Sequence, residues 1–267
     1  MNFVCPKCKE KLNDIGPSLK CANGHSFDKA RAGYCNLLLS SVGGVHGDNR
    51  EMLLARRDFL DTDAYRQLAD KLSELVNKYL HSGNLLDIGC GEGYYTDIIE
   101  KRLSSKAIQI SAFDISKEAV KLAAKRNKNI ELAVASAYRM PTGDGEFDMA
   151  INMFSPLALE EIYRTLKKDG VFIMVIPGEN HLFGLKEATY KTPYKNEVGS
   201  SELEGFSLLE SEKISYTLNL NSSESIKALF MMTPYAYRTS PSDKKRVLSL
   251  DTLTTEIEFI IFVYRKD

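Results

Sequence analysis

Four residues near the start of the chain carry the first chemistry: Cys5, Cys8, Cys21 and His25, in CPKC and CANGH. Two residues separate Cys5 from Cys8, twelve separate Cys8 from Cys21, and three separate Cys21 from His25. A Cys-x2-Cys pair wraps one metal from a single tight turn, and a second pair closes a tetrahedron, which is the donor set of a structural zinc site. Four protein ligands leave no open position for catalysis. Pro6, Asn23 and Gly24 are residue types that such knuckle turns use. A redox Cys-x-x-Cys would not need Cys21 and His25 at this spacing and would ordinarily follow a strand. Unrelated cysteines are the remaining alternative. So short a segment buries little apolar surface, so the metal is expected to supply much of its folding free energy.

The second signature is LLDIGCGEGYY, with Gly89, Gly91 and Gly93 between a strand-like and a helix-like run. Such a loop must turn sharply and let a ligand approach the backbone, and a Cβ would obstruct both. Dinucleotide sites place the third glycine one residue later, where this chain has Tyr94. Asp87 ends the strand just before the turn. The stretch resembles E/D-x-G-x-G-x-G, the first cofactor motif of class I S-adenosylmethionine-dependent methyltransferases. In that family the acid and the backbone address the positively charged amino-acid end of the cofactor. At the next strand end, AFDIS offers Asp114, a carboxylate able to accept both hydroxyls of a ribose, as nicotinamide and methyltransferase sites both require. ASAYRMP resembles the segment that covers the adenine, with Ser136 near the place of the usual Asp. Plainer readings exist: a tight turn for Gly89 and Gly91, a helix N-cap for Asp114. Three such features at successive strand ends, on one sheet edge, with no second glycine fingerprint, favour the methyltransferase.

The elements that must position these residues are legible from the texture. NLLDIG, IQISAFDI, IELAVA, FDMAINMF and VFIMVIP read as strands, and YYTDIIEKRL, KEAVKLAAKR and ALEEIYRTLKKDG as helices between them. That alternation predicts a doubly wound α/β domain, a parallel sheet covered on both faces. KISYTLNL and TTEIEFIIFVYR, around a helical SSESIKALFMM, suit an added antiparallel edge. Upstream, Leu68, Leu72, Leu75, Val76 and Tyr79 fall at helical spacing. SSVGGVHGDNR, residues 40–50, reads as a mobile loop or linker. The expected organisation is therefore a zinc-binding domain at 1–40, linker and helices at 41–83, and a methyltransferase domain at 84–267.

The 267 residues, 43% hydrophobic, suffice for one large domain and a small appendage. No apolar run is long enough to cross a bilayer and no signal-peptide pattern opens the chain, so a cytoplasmic location is expected. In a reducing compartment, clustered cysteines favour metal over disulfides, leaving Cys35 and Cys90 over. The formal charge of −1 says nothing globally about nucleic acid, so such a role would have to rest on a local patch. Residues 1–50 carry a local balance of +3, which suits either RNA or a solvated mixed-charge surface.

With both signatures in place, the chain resembles the bacterial 23S ribosomal RNA guanine-N1 methyltransferases nearly end to end. The strings are CPKC…C…H, SFDKARAGYCNLL, ARRDFLDTDAY, LLDIGCGEGYYT, FDISKEAVKLAAKR, FSP, VIPGENHL and MMTPYAYR. The resemblance implies methylation of N1 of a guanine in a hairpin loop, with S-adenosylmethionine as cofactor and structural zinc at Cys5, Cys8, Cys21 and His25. It implies cofactor contacts at Gly91 and Glu92, at Tyr65 in TDAY and at His181 in GENHL. It further implies a homodimer whose cleft receives RNA, and some relatives confer macrolide resistance. Tyr65 as a packing residue and His181 as a cap on the sheet edge are the plainer alternatives. FSP departs from the Asn/Asp-Pro-Pro-aromatic signature of amino-methylating enzymes, which argues against an exocyclic amine as target. Phe154 could stack an extruded base or pack in the core. No residue declares itself as the base that takes the N1 proton. A small-molecule methyltransferase and a non-catalytic, cofactor-sensing RNA-binding protein are the rival classes. On this reading the Cys/His segment serves RNA recognition and its own folding, and its loss leaves cofactor affinity intact.

Overall fold

The computed structural model describes residues 2–39 and 49–267; of the linker expected over residues 40–50, residues 40–48 lie outside the described residues. Three short strands, β1 (Asn13–Asp14), β2 (Ser18–Lys20) and β3 (Ser26–Asp28), form a small antiparallel sheet in the order β1-β2-β3. β4 (Cys35–Asn36) then leaves that sheet. Two helices follow, α1 (Arg50–Leu60) and α2 (Arg66–Tyr79). Leu68, Leu72, Leu75 and Val76 are buried along one face of α2, as their spacing requires.

The main sheet alternates with helices: β5 (Gly83–Ile88), α3 (Tyr94–Leu103), β6 (Ile108–Asp114), α4 (Lys117–Arg126), β7 (Glu131–Val134), β8 (Phe147–Met153), α5 (Leu159–Thr165) and β9 (Leu166–Pro177). After α6 (Phe183–Thr189) come β10 (Phe206–Leu220), α7 (Ser223–Met231), α8 (Tyr235–Arg238), α9 (Pro241–Leu248) and β11 (Leu253–Lys266). The eight strands lie in the order β10-β11-β9-β8-β5-β6-β7-β4. β4 to β9 run parallel, and β11 pairs antiparallel with both β9 and β10. The doubly wound sheet and its antiparallel edge are therefore as the sequence predicts. The order reverses between β5 and β8, the switch point where open α/β sheets bind ligands beyond the carboxyl ends of their strands.

Two expectations are corrected. The helix read over ALEEIYRTLKKDG stops at Thr165. From Leu166 the chain is extended and pairs with Phe147, because burying Leu166 against the sheet outweighs helical propensity; Asp169, not Gly170, then takes a positive φ of 61°. The second correction concerns separateness. Cys35 and Asn36 pair in parallel with Ala133 and Val134 of β7, so β4 is the edge strand of the main sheet. Phe3 bridges Thr142, and the Val4 N–H donates to Pro141 O at 2.8 Å. Phe3, Leu12, Leu19 and Leu37 share one buried cluster with Leu86, Ile88, Phe113 and Phe147 of the main sheet.

The reason is visible in how the two faces are covered. Residues alternate across the strands: Leu85 and Ala112 face a core closed by helices that include α2, α3, α4 and α7, while Leu86, Ile88 and Phe113 face the other way. On that second face Ile162 of the short α5 contributes beside the N-terminal segment. The Cys/His unit thus occupies a layer that a crossover helix would otherwise fill.

Candidate functional site

The glycine loop begins at the carboxyl end of β5, where each glycine solves a different problem. Gly89 has φ 74°, and a Cβ there would lie 2.6 Å from Ser155. Gly93, the left-handed N-cap of α3 with φ 84°, would meet Ala123 Cβ at 2.9 Å. Gly91, φ 56°, meets only Arg56 Nη1, at 3.9 Å, so its missing Cβ leaves space for a ligand rather than for protein.

Above the loop lies a cavity of about 480 Å³, within the ordinary range for small-molecule sites. Tyr65, Asp87, Gly89, Gly91, Glu92, Asp114 and His181 all line it. Gly93 and Ser136 do not: Gly93 serves the helix start, and the Ser136 hydroxyl oxygen accepts the Tyr138 N–H at 3.3 Å. Asp87 is buried and accepts from Thr96 Oγ1 at 2.5 Å; burial pushes its carboxyl up to about 6 despite that bond, with the Asp114 charge adding to the rise. Asp114 accepts the Gly91 N–H at 3.0 Å and the Ser116 N–H at 2.8 Å, and Ser116, not Asp114, caps α4.

Glu92 is buried, and its Oε2 accepts from Arg126 Nε at 3.0 Å and Nη2 at 2.6 Å; burial nevertheless raises its carboxyl above the ordinary range. Its other oxygen, Oε1, has no partner among the described residues, and neither does the buried hydroxyl of Tyr95. Orphaned buried polar atoms are rare and call for a partner. Both residues line this cavity, beside Arg56. Tyr95 and Arg56 are the contributors that sequence reading missed: a tyrosine in a helical run reads as packing, and only the fold shows its hydroxyl unpaired.

At the far side, the backbone N–H of Glu258 donates to His181 Nδ1 at 3.2 Å. The ring's proton therefore sits on Nε2, which faces the Tyr65 hydroxyl at 3.5 Å. Burial pushes the imidazole down to about 3, with the Lys186 charge acting in the same sense, so the ring is neutral. Lys186 is itself fully buried and donates to Tyr194 O at 3.0 Å and Asn196 Oδ1 at 2.6 Å. Asn196 Nδ2 in turn donates to Gly178 O at 2.8 Å and His181 O at 3.3 Å, fixing the loop that carries the histidine. Phe154, at the end of β8, holds a positive φ of 54°, which is costly for an aromatic residue. The residue is 48% exposed, and its ring lies 5.5 Å from that of Phe259. The loop below it is fixed by Ser155 Oγ, which donates to Ile88 O at 3.0 Å and accepts from Asn152 Nδ2 at 2.8 Å.

The cavity suits a cofactor that carries an amino acid and a nucleoside. It offers buried and half-buried carboxylates, a backbone cradle open at Gly91 and unpaired polar atoms.

Cys5, Cys8, Cys21 and His25 converge with all ligand atoms within 4.8 Å of one another. His25 Nδ1 is 3.5 Å from Cys5 Sγ and 3.4 Å from Cys21 Sγ, and Cys8 Sγ is 3.7 Å from Cys21 Sγ. Zinc bonds of about 2.3 Å to sulfur and about 2.0 Å to nitrogen give tetrahedral edges of roughly 3.5–3.8 Å, so the donors fit a closed zinc site. Lys9 and Gly24 take the positive φ values, 63° and 81°, that close the two knuckle turns.

Comparisons with known proteins match both units. Residues 85–170 match the family described as "Methyltransferase domain", and residues 3–39 the one described as "RlmA, N-terminal". The chain is 30% identical to YxjB of Bacillus subtilis strain 168, over 97% of this chain and 96% of that one, a relative named for 23S rRNA (guanine-N(1)-)-methyltransferase activity. It is 29% identical to the 23S rRNA (guanine(748)-N(1))-methyltransferase of Streptomyces fradiae, over 91% and 88% of the two chains. Among solved structures, the BH2331 protein of Bacillus halodurans C-125 aligns at 17% identity and TM-score 0.49, over 74% of this chain and 99% of that one.

Proposed function

The chain belongs to the 23S rRNA (guanine-N1)-methyltransferase family, and from that premise we propose that it transfers a methyl group from S-adenosylmethionine to N1 of a guanine in 23S ribosomal RNA. The observation that carries this reading is the end-to-end relation, spanning both the Cys/His unit and the cofactor cavity. A small-molecule methyltransferase has no evident need for the former.

When bound, S-adenosylmethionine supplies an activated methyl on a sulfonium, so the protein's work is positioning and the exclusion of water. Asp87 and the glycine-loop backbone address the amino-acid end, with the Tyr95 hydroxyl offered to its carboxylate and Arg56, which also donates to Met232 O at 3.4 Å, lining the same cavity. Asp114 and Glu92 serve the ribose side. Asp114 Oδ2 already accepts the Gly91 N–H, which fixes the loop at the height of the cavity floor. His181 carries its proton on Nε2 and, with Tyr65, offers donors rather than a base. Phe154 stands half exposed at the cavity, an aromatic face for a base taken out of its stack. Zinc at Cys5, Cys8, Cys21 and His25 holds the N-terminal unit in shape. The same reading carries a hairpin as target, a homodimer, a cytoplasmic location and an effect on macrolide susceptibility. Family membership supports these, and among the described residues no helix is long and apolar enough to cross a membrane.

The test is incubation of the protein and labelled cofactor with unmodified ribosomal RNA, followed by primer extension. N1-methylguanine blocks Watson–Crick pairing, so a new stop at a guanine is expected. Label transferred to a metabolite and not to RNA would overturn the reading.

A further inference from the structure

Beyond the cavity, the carboxyl edge of the sheet carries a feature that the chemistry above does not use. The loop after β7 exposes Tyr138 to 69%, the most exposed large hydrophobic residue among those described. Beside it Arg139 is exposed and makes no ion pair among the described residues. The ribbon-like N-terminal unit reaches the same loop, where Lys9 Nζ donates to Met140 O at 3.2 Å. Lys9 is close enough to Arg164 and Arg139 for their charges to oppose its own, and to Glu161 and Asp144 for theirs to favour it. The charge of Arg164 is engaged by Glu161 and Asp144; that of Lys9 is partly buried against Met140 O, and that of Arg139 is exposed, neither making an ion pair among the described residues.

An exposed ring next to an exposed arginine, with a lysine that makes no ion pair behind it, provides the two contacts single-stranded nucleic acid needs: a face for a base and charge for its phosphate. An acidic protein surface would use the cations but would leave Tyr138 without purpose. The placement adds a constraint. Tyr138 follows β7 and Phe154 follows β8, and in the sheet those strands are separated by β6 and β5. Three strand spacings make about 14 Å, the reach of a few nucleotides. Both residues stand at carboxyl ends of parallel strands and so on the same edge.

We propose that Tyr138 and Arg139, with Lys9 of the N-terminal unit, form the contact surface for RNA nucleotides flanking the methylated guanine. Tyr138 stacks one base, and Arg139 and Lys9 neutralise adjoining phosphates. The seam between the two units is then a track leading into the cavity. This inference rests on the RNA methyltransferase reading and locates the substrate on the surface.

The test uses the zinc-loaded full chain and a hairpin RNA, measuring RNA affinity by fluorescence anisotropy, cofactor affinity by calorimetry, and kcat and KM for methyl transfer. Tyr138→Ala should weaken RNA binding and raise KM about tenfold, with Tyr138→Trp restoring both. Tyr138 and Arg139 belong to the ASAYRMP segment expected to cover the adenine, but neither lines the cavity, so cofactor affinity and kcat should be unchanged. Arg139→Ala should lower the slope of log affinity against log salt by about 1. Wild-type protein that methylates RNA while these variants bind RNA normally would overturn the surface alone, leaving the loop to solvent or a protein partner. So would loss of cofactor affinity in Tyr138→Ala. Wild-type protein that transfers no methyl to RNA would overturn the enzymatic reading, and this surface with it.

Discussion

Phe3→Ala tests whether the N-terminal unit is a layer of the catalytic fold or a separate module on a tether. Phe3 is 1% exposed and belongs to the buried cluster that includes Ile88, Phe113 and Phe147 of the main sheet. Truncating a buried phenylalanine costs about 3–5 kcal/mol, from lost burial and the residual cavity. For a chain of 267 residues, an unfolding entropy of about 2.1 cal/mol/K per residue converts that loss into a fall in Tm of roughly 5–9 °C. If the unit is integral, scanning calorimetry of the zinc-loaded chain shows one principal transition, and Phe3→Ala moves it by that amount. Stripping zinc with a strong chelator should lower the same transition, since Cys5 and Cys21 lie in the same cluster as Phe3. Two resolved transitions, with only a small one responding to either perturbation, would refute the reasoning. The larger domain would then stand without its N-terminal layer.

Further outcomes follow from the cavity. Gly91→Ala should reduce cofactor affinity at least tenfold with a stability loss near 1 kcal/mol, because its Cβ enters ligand space; Gly93→Ala should lose more stability, because its Cβ strikes Ala123. Thermal melts with calorimetric titration of the cofactor separate the two, and equal stability losses would contradict the assignment. Asp87, with its carboxyl raised to about 6, is protonated in the folded apo protein between about pH 4 and 6, where an unfolded aspartate is already ionised. Its burial therefore costs folding stability as pH rises through that window. Binding a cationic amino group favours the ionised form, so cofactor affinity should rise from pH 5 to 7 with proton uptake by buffer, and Asp87→Asn should flatten that profile. Tyr95→Phe should weaken cofactor binding several-fold without destabilising the apo protein, whose hydroxyl has no partner to lose. A lowered Tm with unchanged affinity would show that the hydroxyl serves packing instead.

How much of this was legible in the sequence depends on the length of the signal. YYTDIIEKRL and KEAVKLAAKR coincide with α3 and α4, because a glycine and a serine cap mark their starts. The convergence of Cys5, Cys8, Cys21 and His25 followed from spacing, since two short turns fix where each pair can point. β4 was invisible: two residues carry no alternation, and their pairing with β7 is set by what the sheet's second face lacks. Leu166 was lost for the opposite reason, a helix-like run overruled by burial. Ser136 shows the limit of motif carry-over, since its position in the loop after β7 did not fix which way its hydroxyl turns.

The tether reading assigned RNA recognition to the zinc unit and chemistry to the main domain, so that a cysteine variant reports on recognition alone. The structure removes that separation. Cys5 and Cys21 are buried in the cluster that covers Leu86 and Ile88, and β5, which carries both, ends in the glycine loop. Cys35 pairs beside the strand that leads to Tyr138 and Arg139. Loss of zinc therefore loosens, through one apolar layer, the RNA-facing seam and the strand beneath the cofactor. Reduced methylation in a Cys5→Ser or Cys8→Ser variant would follow from either effect. Substitutions of Tyr138 and Arg139, whose side chains are exposed on the seam, separate what the metal holds together from what the RNA touches.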